Sequence, residues 1–167
     1  YLSPGNYTVT LNAVGTNGTI SKSRAITIYA SPIAFPVPNK NICGTEGMSY
    51  NLAQHTNTVR GSQSSSVFGV SYFLTIDNAT TSTNALPENF VLSLGTTTVY
   101  AKIYNSANTN CYSITSFAID FFEQPIANQL VDYVICENQP YDFKEQFDLQ
   151  SKNIELLGMQ SASDFTI

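Results

Sequence analysis

The chain has 167 residues, of which 43% are hydrophobic and only 11% are charged, and its formal net charge is −5. This hydrophobic content is typical of a folded protein, and the low charged fraction leaves Thr, Ser, Asn and Gln to supply the polar surface. Lys and Arg are not clustered, which argues against nucleic acid or an anionic membrane surface as a partner. No apolar run is long enough to cross a bilayer, so we expect no membrane insertion.

The first predicted elements are two strands joined by a tight turn. Apolar and polar residues alternate from Tyr7 to Ala13, which is typical of a half-buried strand. The glycines at positions 15 and 18 indicate a turn, and a second strand is predicted over 19–29. The proline-rich stretch 31–38 follows, and it indicates a stiff, extended linker because proline fixes φ.

Three more strands are predicted in the middle of the chain, over 67–76, 97–104 and 111–122, with a Thr/Asn-rich loop over 77–88. Ser151 is expected to cap a short helix over 152–157, which ends at Gly158, and the matching stretch 53–60 ends at Gly61. Short strands with turn residues between them and little helix predict an all-β fold of sandwiches in series, with at most one short helix per unit.

An internal repeat relates two parts of the chain. Pro32-Ile33-Ala34 recurs as Pro125-Ile126-Ala127, and Ile42-Cys43 recurs as Ile135-Cys136, both at an offset of 93 residues. After a four-residue insertion the offset is 97, and it relates Leu52, Gly61, Gln63 and Phe68 to Leu149, Gly158, Gln160 and Phe165. Two constant offsets separated by one insertion indicate tandem units.

The repeat predicts three parts. Residues 1–30 are the C-terminal strands of one sandwich domain, residues 31–124 are a complete repeat unit, and residues 125–167 are the N-terminal half of a second unit. We expect both end segments to depend on material outside the sequence or on another chain, because an isolated hairpin is marginally stable and a segment of about 40 residues rarely folds alone.

Motifs in all three parts resemble known families. The stretch from Pro4-Gly5-Asn6-Tyr7 to Thr27-Ile28-Tyr29 resembles the last two strands of a PKD-like (polycystic-kidney-disease-like) domain. The rest is similar to tandem repeats of large surface adhesins of gliding Bacteroidetes, through Thr98-Val99-Tyr100-Ala101-Lys102, Asn110-Cys111-Tyr112, Ile154-Glu155-Leu156-Leu157-Gly158 and Ser163-Asp164-Phe165-Thr166. The resemblance implies Ig-like or PKD-like β-sandwiches, type IX secretion, and an extracellular or cell-surface location.

The three cysteines are the first candidate functional residues. No C-x-x-C pair occurs, so zinc and redox signatures are absent. The repeat predicts a disulfide between Cys43 and Cys111 within the complete unit, and it leaves Cys136, the equivalent of Cys43, unpaired in this chain. Three buried free thiols are the alternative, because free cysteine is often buried.

The remaining candidates for chemistry are weaker. His55 is the only histidine and lies near several serines, and we expect a surface position rather than a catalytic triad. Asp132, Glu137, Asp142, Glu145 and Asp148 form a weak acidic cluster, whose spacing fits a solvated face better than a calcium loop. We therefore expect no catalytic residues, no metal and no cofactor.

The sequence favours a non-catalytic structural and adhesive segment of a large secreted surface adhesin. Its expected partners are neighbouring repeat domains of the same chain and proteins of the type IX secretion or gliding machinery, with polysaccharide as one candidate surface ligand. The alternative is an accessory carbohydrate-binding module of a secreted polysaccharide-degrading enzyme. Exposed coplanar aromatic rings on one sheet face would favour that module, and buried rings would favour the structural segment.

Overall fold

A computed structural model describes residues 3–137, 144–165 and 167. The chain forms two compact units, residues 1–122 and 123–167. Most of the regular structure is β-strand, which confirms the all-β class predicted from the sequence. Within the described residues, no helix has the length and apolar content needed to span a bilayer.

The first unit begins with a long antiparallel hairpin of β1 (Gly5–Gly15) and β2 (Gly18–Ile28). Both predicted strands are confirmed. One face carries cross-strand pairs of polar side chains, such as Thr10 with Ser23, whose hydroxyl oxygens lie 2.8 Å apart. The apolar face was expected to be half-buried, but Leu11 is 72% exposed, since no second sheet layer covers the hairpin among the described residues.

A four-stranded sheet and a two-stranded sheet make up the rest of the first unit. The larger sheet has the order β3-β8-β7-β5, in which β7 pairs antiparallel with both β8 and β5. The smaller sheet pairs β4 antiparallel with β6. The strands are β3 (Lys40–Gly44), β4 (Ser49–Asn51), β5 (Phe68–Phe73), β6 (Asn89–Val91), β7 (Gly95–Asn105) and β8 (Asn108–Glu123).

The core lies on one face of the larger sheet. Alternate residues of β7 and β8 are buried there, namely Val99, Ala101, Ile103, Phe117, Ile119 and Phe121. Tyr50 of β4 and Phe90 of β6 pack against this cluster from the smaller sheet. The period-two pattern of β7 and β8 therefore places every second side chain in the core, as their sequence predicts.

Helical turns connect the strands. The first unit contains a 3₁₀ turn (Leu52–His55), which leads into α1 (Thr56–Arg60), and a further helix α2 (Ile76–Thr81). The prediction of at most one short helix per unit was therefore wrong, as was the prediction that residues 77–88 are only a loop. Thr75 starts α2, because its hydroxyl accepts a hydrogen bond from the Asn78 N–H at 3.1 Å.

The described part of the second unit contains a 3₁₀ turn (Leu149–Lys152) followed by α3 (Asn153–Leu157). This helix and its end at Gly158 were predicted. The cap was not, because Asp148 rather than Ser151 accepts from the first backbone N–H groups of the 3₁₀ turn.

Candidate functional site: cysteines at the two ends of the central sheet

Cys43 lies in β3, an edge strand of the larger sheet, and its side chain is exposed. The Asn39 side chain, just before β3, accepts a hydrogen bond from the Ala118 N–H at 2.9 Å. Gly44 ends β3 and lies against the ring of Phe121. A Cβ added to Gly44 would be 3.3 Å from that ring. These contacts advance in the same direction along both strands, so β3 runs parallel to β8. Cys43 therefore lies beside the C-terminal end of β8.

Cys111 lies near the start of β8, and its side chain is half-buried. It follows the turn between β7 and β8, where the strand register shifts between Tyr104 and Asn105. The Asn105 side chain donates a hydrogen bond to the Ala30 carbonyl at 3.0 Å. Cys111 is therefore at the end of the sheet where the chain arrives from β2.

The two cysteines consequently lie at opposite ends of β8. Phe121, beside Gly44, follows Cys111 by ten residues along one continuous strand, which corresponds to about 30 Å at roughly 3.3 Å per residue. The Cα atoms of a disulfide are at most about 7 Å apart. The predicted Cys43–Cys111 disulfide within the unit is therefore wrong, and both thiols are free. The repeat could not reveal this distance, because sequence order does not show that β3 pairs parallel with β8.

Cys136 is also a free thiol, and it is exposed. It occupies the position equivalent to Cys43, by the offset of 93 residues. That its partner lies outside this chain stays a prediction.

Matched hydrogen bonds accompany the sequence repeat. The Gln63 side chain accepts from the Ile33 N–H at 2.9 Å, and it donates to the carbonyls of Ile33 and of the last residue of α1, both at 2.7 Å. The Gln160 side chain accepts from the Ile126 N–H at 2.8 Å, and it donates to the carbonyls of Ile126 and of the last residue of α3. Each glutamine thus ties the residue after a linker proline to the end of a short helix.

The ends of the helical segments match as well. The side chain of Asn51 accepts from the Ala53 N–H at 2.8 Å before the first 3₁₀ turn, and Asp148 does the same before the second. Gly61 ends α1 with φ of 59°, and Gly158 ends α3 with φ of 60°. The two segments therefore share their start, their end and their attachment to the linker.

His55 is buried, with 6% of its surface exposed, and the expected surface position is wrong. Its Nε2 lies 2.6 Å from the Tyr50 hydroxyl, and its ring centre lies 5.0 Å from that of Phe117. Burial lowers the pKa of His55, and the positive charge of Lys40 lowers it further. The polar residues around His55 in sequence gave no sign of this burial, which depends on β4 and β8 packing over the 3₁₀ turn.

Lys102 is a buried cation whose burial the sequence did not predict, because a lysine within a strand is usually exposed. It is 2% exposed. Its Nζ donates to the Thr80 carbonyl at 3.1 Å and to the Ser82 hydroxyl at 2.7 Å, and it lies 4.0 Å from the ring centre of Tyr112. Burial lowers the pKa of Lys102. The amine thus holds the C-terminal end of α2 against β7 and β8.

The acidic residues form no metal site among the residues that the structure describes, where no group of three or more His, Cys, Asp and Glu side chains is placed to hold an ion. Asp148 uses its carboxylate to accept from the N–H groups of Gln150 and Ser151 at 3.1 and 3.3 Å. Asp142 lies outside the described residues.

A family model described as the Flavobacterium inter-domain disulphide bond domain matches residues 39–125, just over half of the chain. The match extends from just before β3 to just after β8, and it includes Cys43 and Cys111. No match was found among curated proteins or among solved structures. With these two cysteines at the ends of its central sheet, the chain belongs to the Flavobacterium inter-domain disulphide bond domain family.

Proposed function

We propose that this chain is a non-catalytic structural and adhesive segment of a large secreted bacterial surface adhesin, in which disulfides join successive units. One observation carries the proposal: Cys43 and Cys111 are free thiols at opposite ends of β8. A unit with one thiol at each end can bond to the unit before it and to the unit after it. The family's name, which refers to an inter-domain disulphide bond, supports the same role.

The repeat indicates which cysteines pair. By the offset of 93 residues, Glu123 is the equivalent of Ala30. The Ala30 carbonyl accepts a hydrogen bond from Asn105, which lies at the same end of the sheet as Cys111. Glu123 is also the last residue of β8, and Cys43 lies beside that end of the strand. By the same contact, the equivalent of Cys111 in a complete second unit would lie at the end of its sheet nearest Glu123. We propose that Cys43 bonds to that cysteine, and that Cys136 bonds to the corresponding cysteine one unit later.

Bond formation needs an oxidant. The two thiols lose two protons and two electrons as the S–S bond forms, and the disulfide of a thiol–disulfide oxidoreductase accepts the electrons and is reduced to a dithiol. Export to an oxidising compartment by type IX secretion would supply these conditions and preserve the bond. Disulfides between units would help a chain of sandwich units at the cell surface to resist unfolding and proteolysis.

The placement of the aromatic rings supports a structural segment over a carbohydrate-binding module. Phe68, Phe73, Phe117 and Phe121 are each at most 8% exposed. These four rings fill the core, so none of them is available to stack against a sugar. The two β layers of residues 40–123 support the Ig-like sandwich that the adhesin resemblance implies.

The disulfide pairing can be tested by extending the chain. A copy of residues 71–123 is appended after Ile167, because Val70 is equivalent to Ile167. After oxidation, peptide mapping without reductant should link Cys43 to the copied Cys111. A link between Cys136 and the copied Cys111, or a Cys43 that remains free, would contradict the proposal. The Cys136→Ser variant of the extended chain is the matched control and should keep the Cys43 link.

The cellular role needs a separate test. Antibodies raised against this chain should label intact cells of the bacterium that produces it, and the label should disappear when type IX secretion is disrupted. Label found only after lysis would refute the surface assignment. The purified chain should show no turnover of polysaccharides or peptides, and turnover would refute the non-catalytic assignment.

A further inference from the structure

The second unit exposes apolar residues whose equivalents in the first unit are buried. Leu52 is fully buried, whereas its equivalent Leu149 is 70% exposed. Val59 is fully buried and Phe68 is 8% exposed, whereas their equivalents Leu156 and Phe165 are only half-buried. An exposed group of apolar side chains in one place generally marks a surface that another element covers.

Two of these residues, Leu156 and Phe165, line a groove in the second unit. It has a volume of about 170 Å³, and its walls include Pro125, Ile126, Leu156, Leu157 and Phe165. The matched hydrogen bonds of Gln63 and Gln160 show that the linker and the helical segment already have the arrangement seen in the first unit. The groove therefore presents a preformed surface.

The first unit shows what covers the equivalent surface there. Leu52, Val59 and Phe68 share one core with alternate residues of β7 and β8, namely Val99, Ala101, Ile103, Phe117, Ile119 and Phe121. The described part of the second unit, in contrast, contains helical turns but no strand after Glu123.

We propose that the groove of the second unit is the docking site for a β-hairpin with the alternating pattern of β7 and β8, supplied by the same polypeptide after Ile167. Its apolar face would cover Leu149, Leu156 and Phe165. An asparagine in its turn would donate to the Glu123 carbonyl, as Asn105 donates to Ala30. This inference rests on the proposed series of units, and it adds the element that completes each of them.

The same extended chain tests the docking, now with every cysteine replaced by serine. Because no disulfide can form in this variant, a failure of docking is separable from a failure of disulfide pairing. Amide hydrogen exchange is compared between the 167-residue chain and the extended chain, both with Cys→Ser at all positions. Exchange in residues 149–165 should slow at least tenfold in the extended chain. Unchanged exchange would overturn the proposal.

Two substitutions in the extended chain give a matched comparison. Leu149→Asp, at a position whose equivalent Leu52 is buried, should abolish the protection. Ile154→Asp, which also replaces an exposed apolar residue but whose equivalent Asn57 is exposed, should leave the protection unchanged. If both substitutions reduced the protection equally, the proposed docking site would be wrong. Protection that appears only with concentration-dependent dimerisation would overturn the assignment of the hairpin to the same polypeptide.

Discussion

The imidazole of His55 and the hydroxyl of Tyr50 lie 2.6 Å apart at the edge of the core. The ring of Phe117 covers the imidazole from β8, and Lys40 is the charged group that acts on it. Burial and the Lys40 charge both disfavour protonation, so the pKa of His55 in the folded protein is below its ordinary value. The neutral imidazole is therefore the form that the fold favours.

We predict that lowering the pH from 7.5 to 5.5 destabilises the chain through His55. The imidazole binds a proton near its ordinary pKa of about 6.5 in the unfolded chain, but only at a lower pH in the folded chain. The contribution of His55 to stability is therefore complete above about pH 6.5, and it falls as the pH drops towards the pKa of the folded state. The loss is at most about 1.4 kcal/mol per pH unit for one group. Urea unfolding at several pH values measures it. The His55→Gln variant should show a shallower dependence, and an identical slope in both proteins would contradict the prediction.

Gln63→Ala should destabilise the first unit by about 1–3 kcal/mol, because the three hydrogen bonds that join the linker to the end of α1 are lost. Urea unfolding followed by circular dichroism provides the measurement. Gln54→Ala is the control: the Gln54 side chain makes one exposed hydrogen bond, to the Asn51 carbonyl, and its loss should change stability by less than about 0.5 kcal/mol. Equal effects would show that the Gln63 contacts are not important for stability.

Leu52→Ala and Leu149→Ala should differ although they make the same chemical change at equivalent positions. Leu52 is fully buried and Leu149 is 70% exposed. The first substitution leaves a cavity and should cost about 2–5 kcal/mol, and the second should cost less than about 0.5 kcal/mol in the 167-residue chain. The free energy of unfolding of each variant tests this difference. A large loss for Leu149→Ala would mean that Leu149 is already covered.

Gly61→Ala should destabilise the end of α1. Gly61 has a positive φ of 59°, and a Cβ there would lie 2.6 Å from the ring of Phe35. The backbone strain alone is about 1–3 kcal/mol, and moving the ring adds to it. Thermal unfolding should show a lower Tm. Thr58→Ala, at an exposed position of α1, is the control, and a Tm drop equal to that of Gly61→Ala would refute the role of the positive φ.

The sequence by itself determined the repeat and the strands β1, β2, β5, β7 and β8, whereas β3, β4 and β6 were not predicted. Alternation of apolar and polar residues predicted β1, β2, β7 and β8, because a strand that buries one face requires a period of two. Glycine marked the ends of α1 and α3, since a positive φ favours a residue without a side chain. These signals are local, and a single stretch of chain carries each of them in full.

Only the tertiary structure decided which distant residues meet. The parallel pairing of β3 with β8 separates Cys43 from Cys111, although the repeat alone predicted that they bond. The burial of His55 and Lys102 depends on elements far away in sequence, and so does the exposure of Leu149. Strand pairing and core packing depend on contacts between separate segments, and no local pattern encodes which segments pair or in which direction.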